Sequence, residues 1–358
     1  MSGEAPLLRV FPELRAAHVE RAEDMLPGTT LYFTQKYDLG DTPSGHEFVQ
    51  VSLPQAIVKV ARSPAQKLEL PEPLWLRYYP GNFVLGITWR VSGLLRGRRR
   101  SASAYSIENN DVDALLFSGR SVPTLVRKIA LAAFGLTARA VYGRLAYGSD
   151  GARETYESIP FLRGVTSRTF LELPAPRSTV SDEAQPGRAV FVGRLEERKG
   201  VERLMDAWPA VEEAVPGAVL EIVGDGPLSD EVSDWCRQNE RQRVASGALD
   251  HATVLRRLEV ASVLVAPSQR DGRWREQIGL PISEALSTGL TIVTTSETGL
   301  ADWLRSTGHH VVSADARDHD ALSGALIRAI ERPLDRASVL ESLPSTLGRI
   351  EADAWLNS

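Results

Sequence analysis

The chain has 358 residues, of which 43% are hydrophobic and 24% are charged, as is ordinary for a globular protein of about two domains. Its formal net charge of -5 argues against a protein that coats nucleic acid, because that role needs a basic surface. Cys236 is the only cysteine, which excludes internal disulfides and thiolate metal cages and favours a reducing compartment.

Neither a secretory signal nor a membrane-spanning segment is expected. Residues 1–6 do not combine a basic stretch with a following apolar run, as a signal peptide does. No stretch contains the roughly 20 apolar residues that cross a bilayer. We therefore expect a cytoplasmic protein.

The first half of the chain predicts an α/β domain over residues 1–175. Short apolar runs typical of strands alternate with helical stretches, as in a doubly wound parallel sheet. The predicted strands are Leu7–Val10, Thr30–Phe33, Phe48–Val51, Ser103–Ile107 and Leu145–Tyr147. A polar, proline-containing stretch at residues 174–187 follows, and it predicts an interdomain linker over residues 176–187.

Residues 188–336 show the same alternation more clearly and predict a second doubly wound domain. The predicted strands are Ala189–Val192, Val219–Val223, Ser262–Ala266, Thr291–Thr294 and His310–Val312. The predicted helices cover residues 200–215, a stretch through Val232 and Trp235, and residues 321–330. The last segment, residues 337–358, is expected to be helical from Ala337 to Leu356.

The loop after the strand Ala189–Val192 is the first candidate site. Gly193 would let a ligand approach the backbone closely, Arg194 can grip a phosphate with two donors, and Lys199 adds a compact positive charge. The alternative is a solvated loop with ordinary cations, since Glu196 and Glu197 are nearby.

The stretch from Glu276 to Glu284 is the second candidate site. Pro281 suits the first turn of a helix, and the amides of Ile278–Leu280 would then point outward at the positive end of the helix dipole. That arrangement is suited to a diphosphate. Glu284 could accept hydrogen bonds from ribose hydroxyls, and Glu276 could reach a sugar ring. The alternative is two surface glutamates, one of which complements the dipole.

A sharp strand-to-helix turn at Gly224, Asp225 and Gly226 is the third feature. It partly matches the dinucleotide fingerprint Gly-x-Gly-x-x-Gly, but Ser229 stands at the third glycine position. The match is weak evidence for NAD binding. A tight turn without ligand contact is the alternative.

Together these motifs resemble the GT-B glycosyltransferases, specifically the large retaining family with a Glu-x7-Glu motif, the family 4-like "glycosyl transferases group 1". The resemblance rests on residues 192–195 with Lys199, on residues 222–227, and on Glu276 to Glu284 with Gly-Leu-Pro between them. It covers nearly all of the C-terminal domain in the expected order. The N-terminal domain resembles the family in outline, chiefly at residues 145–149 and the helix after them.

The resemblance implies two Rossmann-like parallel-sheet domains facing a cleft, with a C-terminal helix that crosses back to the N-terminal domain. Residues 1–175 would bind the acceptor, and residues 188–336 would bind the nucleotide-sugar donor. A hexose-type sugar would move from a UDP- or GDP-linked donor to a glycan, lipid-linked or small-molecule acceptor, with retention and without a metal or further cofactor. Glu276, Arg194 and Lys199 would be the catalytic residues. The donor-binding residues would be Gly193, Gly224, Asp225, Gly226, Ala248, Leu249, Ile278, Gly279, Leu280 and Glu284.

The sequence departs from the family pattern in both halves. Gln277 and Ile278 replace the usual Gly-Phe of the motif, and residues 270–275 form a longer and more basic loop. The N-terminal domain lacks the usual glycine-rich loop and histidine. Asn109 or Asn110 could supply polar contacts on the acceptor side instead.

Aromatic residues beside a basic cluster, between Trp75 and Arg100, suit a membrane interface. A core helix with an exposed basic end is the favoured alternative. Two rival functions also stay open: a catalytically weak homologue that acts as a binding or scaffold partner in glycan assembly, and an NAD-dependent oxidoreductase, which the missing third glycine disfavours.

Overall fold

The computed structural model describes residues 7–36, 47–118, 120–177, 185–272, 274–314 and 319–358. The chain forms two compact units: Met1–Leu171 with Gly348–Ser358, and Glu172–Leu347. Each unit is built on one parallel sheet with helices, which confirms the predicted α/β class. Residues 178–184, within the predicted linker, lie outside the described residues.

The first unit contains a seven-stranded sheet in the order β3-β2-β1-β4-β5-β6-β7. All its strand pairs are parallel, and the direction of strand addition reverses between β1 and β4. The strands are β1 (Leu7–Leu14), β2 (Gly28–Gln35), β3 (Glu47–Gln50), β4 (Lys67–Glu69), β5 (Ala102–Ser106), β6 (Tyr142–Tyr147) and β7 (Thr166–Thr169).

Helices cover this sheet and close its core. They are α1 (Ala16–Ala22), α2 (Leu53–Arg62), α3 (Tyr79–Leu94), α4 (Val112–Phe117), α5 (Thr124–Val141) and α6 (Asp150–Glu157). Trp89 of α3 is fully buried, and the Arg100 guanidinium lies 4.0 Å from its ring centroid. Within the described ranges, no helix has the length and apolar character needed to cross a membrane.

The second unit contains a six-stranded parallel sheet in the order β10-β9-β8-β11-β12-β13. The strands are β8 (Arg188–Val192), β9 (Val219–Val223), β10 (Arg243–Gly247), β11 (Val263–Ala266), β12 (Thr291–Thr295) and β13 (His310–Val312). The helices are α7 (Val201–Ala214), α8 (Ser229–Arg237), α9 (His251–Val260), α10 (Leu280–Ser287), α11 (Ala301–Ser306), α12 (His319–Glu331) and α13 (Arg336–Glu341).

Every predicted strand overlaps an observed one, but the sequence did not predict β4, β7 and β10. β4 has three residues and alternates charged with apolar side chains, so it is too short to show a period. β7 and β10 each lie at one edge of a sheet; β7 is wholly polar, and β10 contains Arg243, Ser246 and Gly247 among its five residues. Neither strand has the continuous apolar run or strict alternation by which a strand is recognised in sequence.

The predicted single helix from Ala337 to Leu356 is wrong. The structure has α13, which ends at Glu341, and a separate helix α14 (Gly348–Leu356) that belongs to the first unit. Pro344 lies between them, and proline disfavours helical geometry in the residue before it. The return of the last helix to the first unit is as predicted.

Helix α14 is joined to the first sheet by buried charges. Arg9 of β1 lies 2.7 Å from Asp353 of α14 and 3.4 Å from Glu69 of β4. Arg349 of α14 also contacts Glu69, and the Leu26 N–H donates to Asp353 at 2.8 Å. Two arginines and two acids therefore neutralise one another in the interior.

Candidate functional site

A small, open hollow lies at the carboxyl edge of the second sheet. It sits between the ends of β8 and β11, where the strand order reverses. Ligands of open α/β sheets bind at this position because the loops on the two sides diverge there. The lining residues are Phe191, Val192, Lys199, Ala266, Ser268, Glu276, Gly279, Pro281 and Ile282.

Lys199 and Glu276 form the polar centre of the hollow. The Lys199 Nζ atom donates to Glu276 Oε2 at 2.5 Å, and the Ser268 hydroxyl donates to the same oxygen at 3.1 Å. The Trp274 ring lies 4.8 Å from Lys199 Nζ, measured to the ring centroid. The site therefore holds one cation and one anion side by side, each with a fixed direction.

The backbone at Gly200 sets the position of Lys199. Gly200 has a φ of +74°, and a Cβ there would lie 2.0 Å from the Pro267 carbonyl oxygen. The Gln269 N–H donates to the Arg198 carbonyl at 2.9 Å, which joins the loop after β8 to the loop after β11. Glycine is needed here because L side chains rarely adopt positive φ and because the two loops touch.

The start of α10 supplies backbone donors. Gly279 caps the helix with a φ of +87°, and its carbonyl accepts from the Ile282 and Ser283 N–H groups. Among the described residues, the N–H groups of Ile278, Gly279 and Leu280 donate to no protein acceptor. Since Pro281 has no N–H, these amides are the donors that the helix start offers to an anion.

Arg194 does not line the hollow. Its side chain is 62% exposed, and its Nε atom lies 3.3 Å from Glu196. Of the predicted catalytic residues, the structure brings Lys199 and Glu276 together and places Arg194 at the surface of the same loop.

The turn at Gly224–Gly226 packs against the loop after β8. A Cβ at Gly224 would lie 1.8 Å from the Gly193 carbonyl oxygen, and one at Gly226 would lie 2.4 Å from that of Leu195. Both glycines are therefore required by backbone packing. Asp225 accepts from the Gly226 N–H and the Ser229 hydroxyl at 2.7 Å each, and these bonds lower its pKa.

Glu284 of α10 pairs with His251, which sequence reasoning missed. Their Oε1 and Nε2 atoms are 2.8 Å apart at the start of α9. Burial raises the pKa of Glu284, and the hydrogen bond from His251 opposes that shift. Of the residues predicted to border the base, Ala248 is exposed and Leu249 is half-buried. The sequence feature that could have indicated His251 is its position directly after Asp250, the N-cap residue of α9.

The basic loop before Glu276 is held by a second missed residue, Glu297. Arg275 Nε lies 3.0 Å from the Glu297 carboxylate, and Arg270 Nε lies 3.6 Å from it. Arg273 of the same loop lies outside the described residues. No local sequence pattern could pair these residues, because Glu297 follows β12 whereas the loop follows β11.

Asn109 and Asn110 belong to the first unit and are almost fully buried. The Asn110 backbone N–H and its side-chain amide both donate to Glu108 Oε1 at 3.0 Å. The two asparagines thus support the loop after β5. Across the described part of the chain, no group of three or more His, Cys, Asp or Glu residues is arranged to hold a metal ion.

Comparison with known proteins shows what the part of the chain around this hollow resembles. Residues 186–332 match the family model described as "Glycosyl transferases group 1". A 150-residue stretch is 33% identical to glycogen synthase of Mycobacterium tuberculosis, and it covers 41% of this chain and 35% of that protein. The chain thus spans about a third of the length of this relative.

A second relative is the GDP-mannose-dependent monoacylated alpha-(1-6)-phosphatidylinositol monomannoside mannosyltransferase of Corynebacterium glutamicum. It is 25% identical over 194 residues, which cover 53% of this chain and 50% of that protein. Among solved structures, Anabaena HepE in complex with UDP aligns with a TM-score of 0.65 at 11% identity, over 99% of this chain and 96% of that one. The fold is the predicted GT-B fold with two Rossmann-like domains.

Proposed function

We propose that this chain, whose residues 186–332 match the family model of glycosyl transferases group 1, moves a hexose-type sugar from a nucleotide-diphosphate sugar to a glycan, lipid-linked or small-molecule acceptor with retention of anomeric configuration. The supporting observation is that Lys199, Glu276 and the first residues of α10 line one hollow at a strand-order reversal.

The hollow suits a diphosphate that becomes a leaving group. As the bond between the anomeric carbon and the diphosphate breaks, negative charge grows on the phosphate oxygens. The acceptor hydroxyl oxygen bonds to that carbon, and its proton passes to an oxygen of the departing diphosphate. Lys199 and the amides of Ile278–Leu280 would stabilise this charge. Preorganised donors of this kind contribute about 3–4 kcal/mol each. Glu276 would hold the donor sugar, and its bond to Lys199 keeps the ammonium directed into the hollow until the donor arrives.

The nucleoside would extend from the hollow toward Glu284 and His251. A ribose hydroxyl can donate to the Glu284 carboxylate, which His251 already orients. Gly224–Gly226, Ala248 and Leu249 would border the base. Both UDP and GDP stay candidates: UDP is bound by HepE and GDP-mannose is used by the mannosyltransferase. We propose no cofactor or metal, since Lys199 and the amides provide the positive charge.

The proposed role of Arg194 differs from that of Lys199. Its exposed guanidinium is not held in the hollow, so a phosphate could recruit it only by rotation of the side chain away from Glu196. We keep it as a catalytic candidate whose contribution depends on that movement.

We also propose a cytoplasmic location with peripheral membrane contact. Only part of the stretch between Trp75 and Arg100 can contact a membrane, because Trp89 and Arg100 are buried. Leu95 is 84% exposed beside Leu94 and the exposed Arg98 and Arg99. Flotation with anionic vesicles should fall when both arginines are changed to glutamine. Equal flotation of the wild type and this variant would contradict the proposed membrane contact.

One panel separates the proposed enzyme from its rivals. Calorimetry against UDP, GDP and NAD, followed by hydrolysis assays with UDP-glucose and GDP-mannose, should show nucleotide-diphosphate binding and slow donor cleavage. Binding without cleavage, in every acceptor mixture tried, would favour a scaffold partner. Preference for NAD would overturn the proposal. We do not expect it, because Ser229 replaces the third glycine of the dinucleotide fingerprint and accepts a hydrogen bond from the Gly226 N–H.

A further inference from the structure

The first sheet has its own strand-order reversal, between β1 and β4, and charged residues gather at its carboxyl edge. Glu13 is near the end of β1 and Arg15 follows that strand. Lys36 follows β2, and Arg77 lies in the loop after β4. Three separate loops thus bring one carboxylate and three cations to the edge where α/β sheets bind ligands. We call Arg15, Lys36 and Arg77 the edge cation cluster.

Glu13 is the centre of the cluster. Lys36 Nζ lies 3.2 Å from its carboxylate, Arg77 Nη1 lies 3.7 Å from it and Arg15 Nη2 lies 3.8 Å from it. The Tyr78 hydroxyl donates to Glu13 at 2.8 Å. Burial alone would raise the pKa of Glu13, but the bonds from Tyr78 and Lys36 and the nearby positive charges hold it below its usual value.

The cluster carries more positive charge than Glu13 can neutralise. Among the described residues, the ion pairs of this edge join one carboxylate to three cations, a surplus of two positive charges within that set. The Glu13 side chain is only 8% exposed, whereas those of Arg77 and Arg15 are 76% and 54% exposed. The carboxylate therefore anchors the cations from below while most of their donors face solvent.

Aromatic rings border the cluster. Trp75 and Tyr78 pack edge to face with centroids 4.9 Å apart, and the Arg77 guanidinium lies 5.2 Å from the Tyr78 ring centroid. Trp75 and Tyr78 are half-buried, so part of each ring surface is open. An apolar ring surface beside a surplus of cations suits a ligand that has both an apolar face and an anionic group.

We propose that the edge cation cluster binds the phosphate group of a phosphorylated acceptor, with the sugar ring of that acceptor against Trp75. Arginine pairs can hold phosphate oxygens with parallel donors, and Lys36 adds a point charge. The inference rests on the proposed function, because it assigns the acceptor to the first unit. The same chemistry would fit a soluble sugar phosphate or a phospholipid headgroup.

The test titrates the full chain with glucose 6-phosphate, with glucose and with inorganic phosphate. Glucose 6-phosphate should bind and glucose should not. Arg77→Gln should weaken binding by about tenfold, the effect of one lost charge-assisted hydrogen bond, and the triple change R15Q/K36Q/R77Q should abolish it. The control K59Q/R62Q/R139Q removes the same charge from exposed positions of the same unit and should bind like the wild type.

A parallel flotation with phosphatidylcholine vesicles, with and without phosphatidylglycerol, identifies the source of the phosphate. Binding of anionic vesicles that depends on the cluster, without binding of glucose 6-phosphate, supports a lipid headgroup. Equal binding of phosphate by the wild type and the triple variant means an adventitious ion only and overturns the inference. Arg77 is largely exposed, so the Arg77→Gln variant should fold. If the triple variant unfolds, this single variant tests whether the cluster binds phosphate.

The titration with UDP and GDP separates the two proposals. Nucleotide binding without any phosphate binding at the cluster overturns the anion site and leaves the proposed function standing. Glucose 6-phosphate binding that needs the cluster, in a protein that binds no nucleotide, supports the anion site and overturns the proposed function.

Discussion

Lys199 is the side chain on which the proposed chemistry depends most. Lys199→Ala should lower turnover by about 10²–10³-fold, because it removes one preorganised donor from the departing diphosphate. The variant should keep its circular dichroism spectrum, since Lys199 lies in the loop between β8 and α7 and not in the hydrophobic core. Lys59→Ala on the exposed face of α2 is the matched control. Near-normal turnover of the Lys199 variant would remove this residue from the mechanism.

Glu284 predicts a pH dependence of nucleotide binding. Its pKa is raised by burial, so it becomes protonated at a higher pH than an ordinary glutamate. A protonated carboxyl accepts a ribose hydroxyl poorly, and affinity should therefore fall as the pH drops through that raised pKa. Calorimetry with the nucleotide across this pH range measures the effect.

The neighbouring His251 also titrates, so the experiment is repeated in a His251→Gln background, where the loss of affinity should persist. Glu284→Gln should bind more weakly and show no such dependence. A wild-type affinity that does not change with pH would contradict the assigned role of Glu284.

Individual residues were predictable where a local pattern defines them. Lys199, Glu276 and Pro281 stand in short motifs whose chemistry is legible from the sequence, and they meet in the hollow. His251 was not predictable, because its partner lies 33 positions away on another helix. Arg194 looked equivalent to Lys199 in sequence, but the direction of a long side chain depends on tertiary neighbours such as Glu196.

At the scale of elements, the junction of β8 and α7 should tolerate no side chain at Gly200. Gly200→Ala would force a positive φ on an L residue and place its Cβ against the Pro267 carbonyl. We expect a loss of at least about 1–3 kcal/mol in the free energy of unfolding. Urea unfolding followed by circular dichroism measures it.

Gly193→Ala is the comparison, because its Cβ would meet only the Phe191 ring, at 3.7 Å. It should change stability little. If donor phosphates approach the Gly193 backbone, this variant should lose activity while its stability stays normal. Equal stability losses in the two variants would contradict the assignment of Gly200 as the constrained position.

Glu72 joins the loops after β4 and β5. Its Oε2 atom accepts from the Ile107 and Glu108 N–H groups at 3.0 Å each and from the Tyr156 hydroxyl at 2.8 Å. Burial and the charge of Glu108 raise its pKa from 4.5 to about 7. The folded protein therefore holds this proton more tightly than the unfolded chain does.

By linkage, the contribution of Glu72 to stability should decline as the pH rises from 4.5 to about 7. Glu72→Gln keeps an acceptor for the loop bonds but cannot ionise, so its urea midpoint should fall less over that window. Glu154→Gln, at an exposed position of α6, should follow the wild type. Parallel pH profiles for the Glu72 variant and the wild type would refute this account.

For the molecule as a whole, the four buried charges that join α14 to the first sheet should matter more than surface ion pairs. Asp353→Ala leaves Arg9 and Arg349 with Glu69 alone, a net buried charge. Breaking a buried pair in this way costs about 3–5 kcal/mol. Asp302→Ala, which breaks the exposed pair with Arg305, should leave the urea midpoint nearly unchanged. Similar midpoints for the two variants would contradict the structural role of the buried network.

The overall architecture was predictable because the strand and helix alternation is regular in the second unit and present in the first. The packing of the last helix was not. Pro344 marks the break in the sequence, but where α14 packs depends on its partners Ala146 and Phe170. Those contacts join residues far apart in sequence, so no window of neighbouring residues contains them.

The placement of α14 has a consequence for synthesis on the ribosome. The second unit is encoded wholly between two parts of the first, so its sheet can be completed while the earlier-made unit still lacks its final helix. Until Ala352 and Leu356 emerge, the Ala146 and Phe170 surface stays uncovered in the nascent protein. The unit that is translated first is therefore the one that matures last.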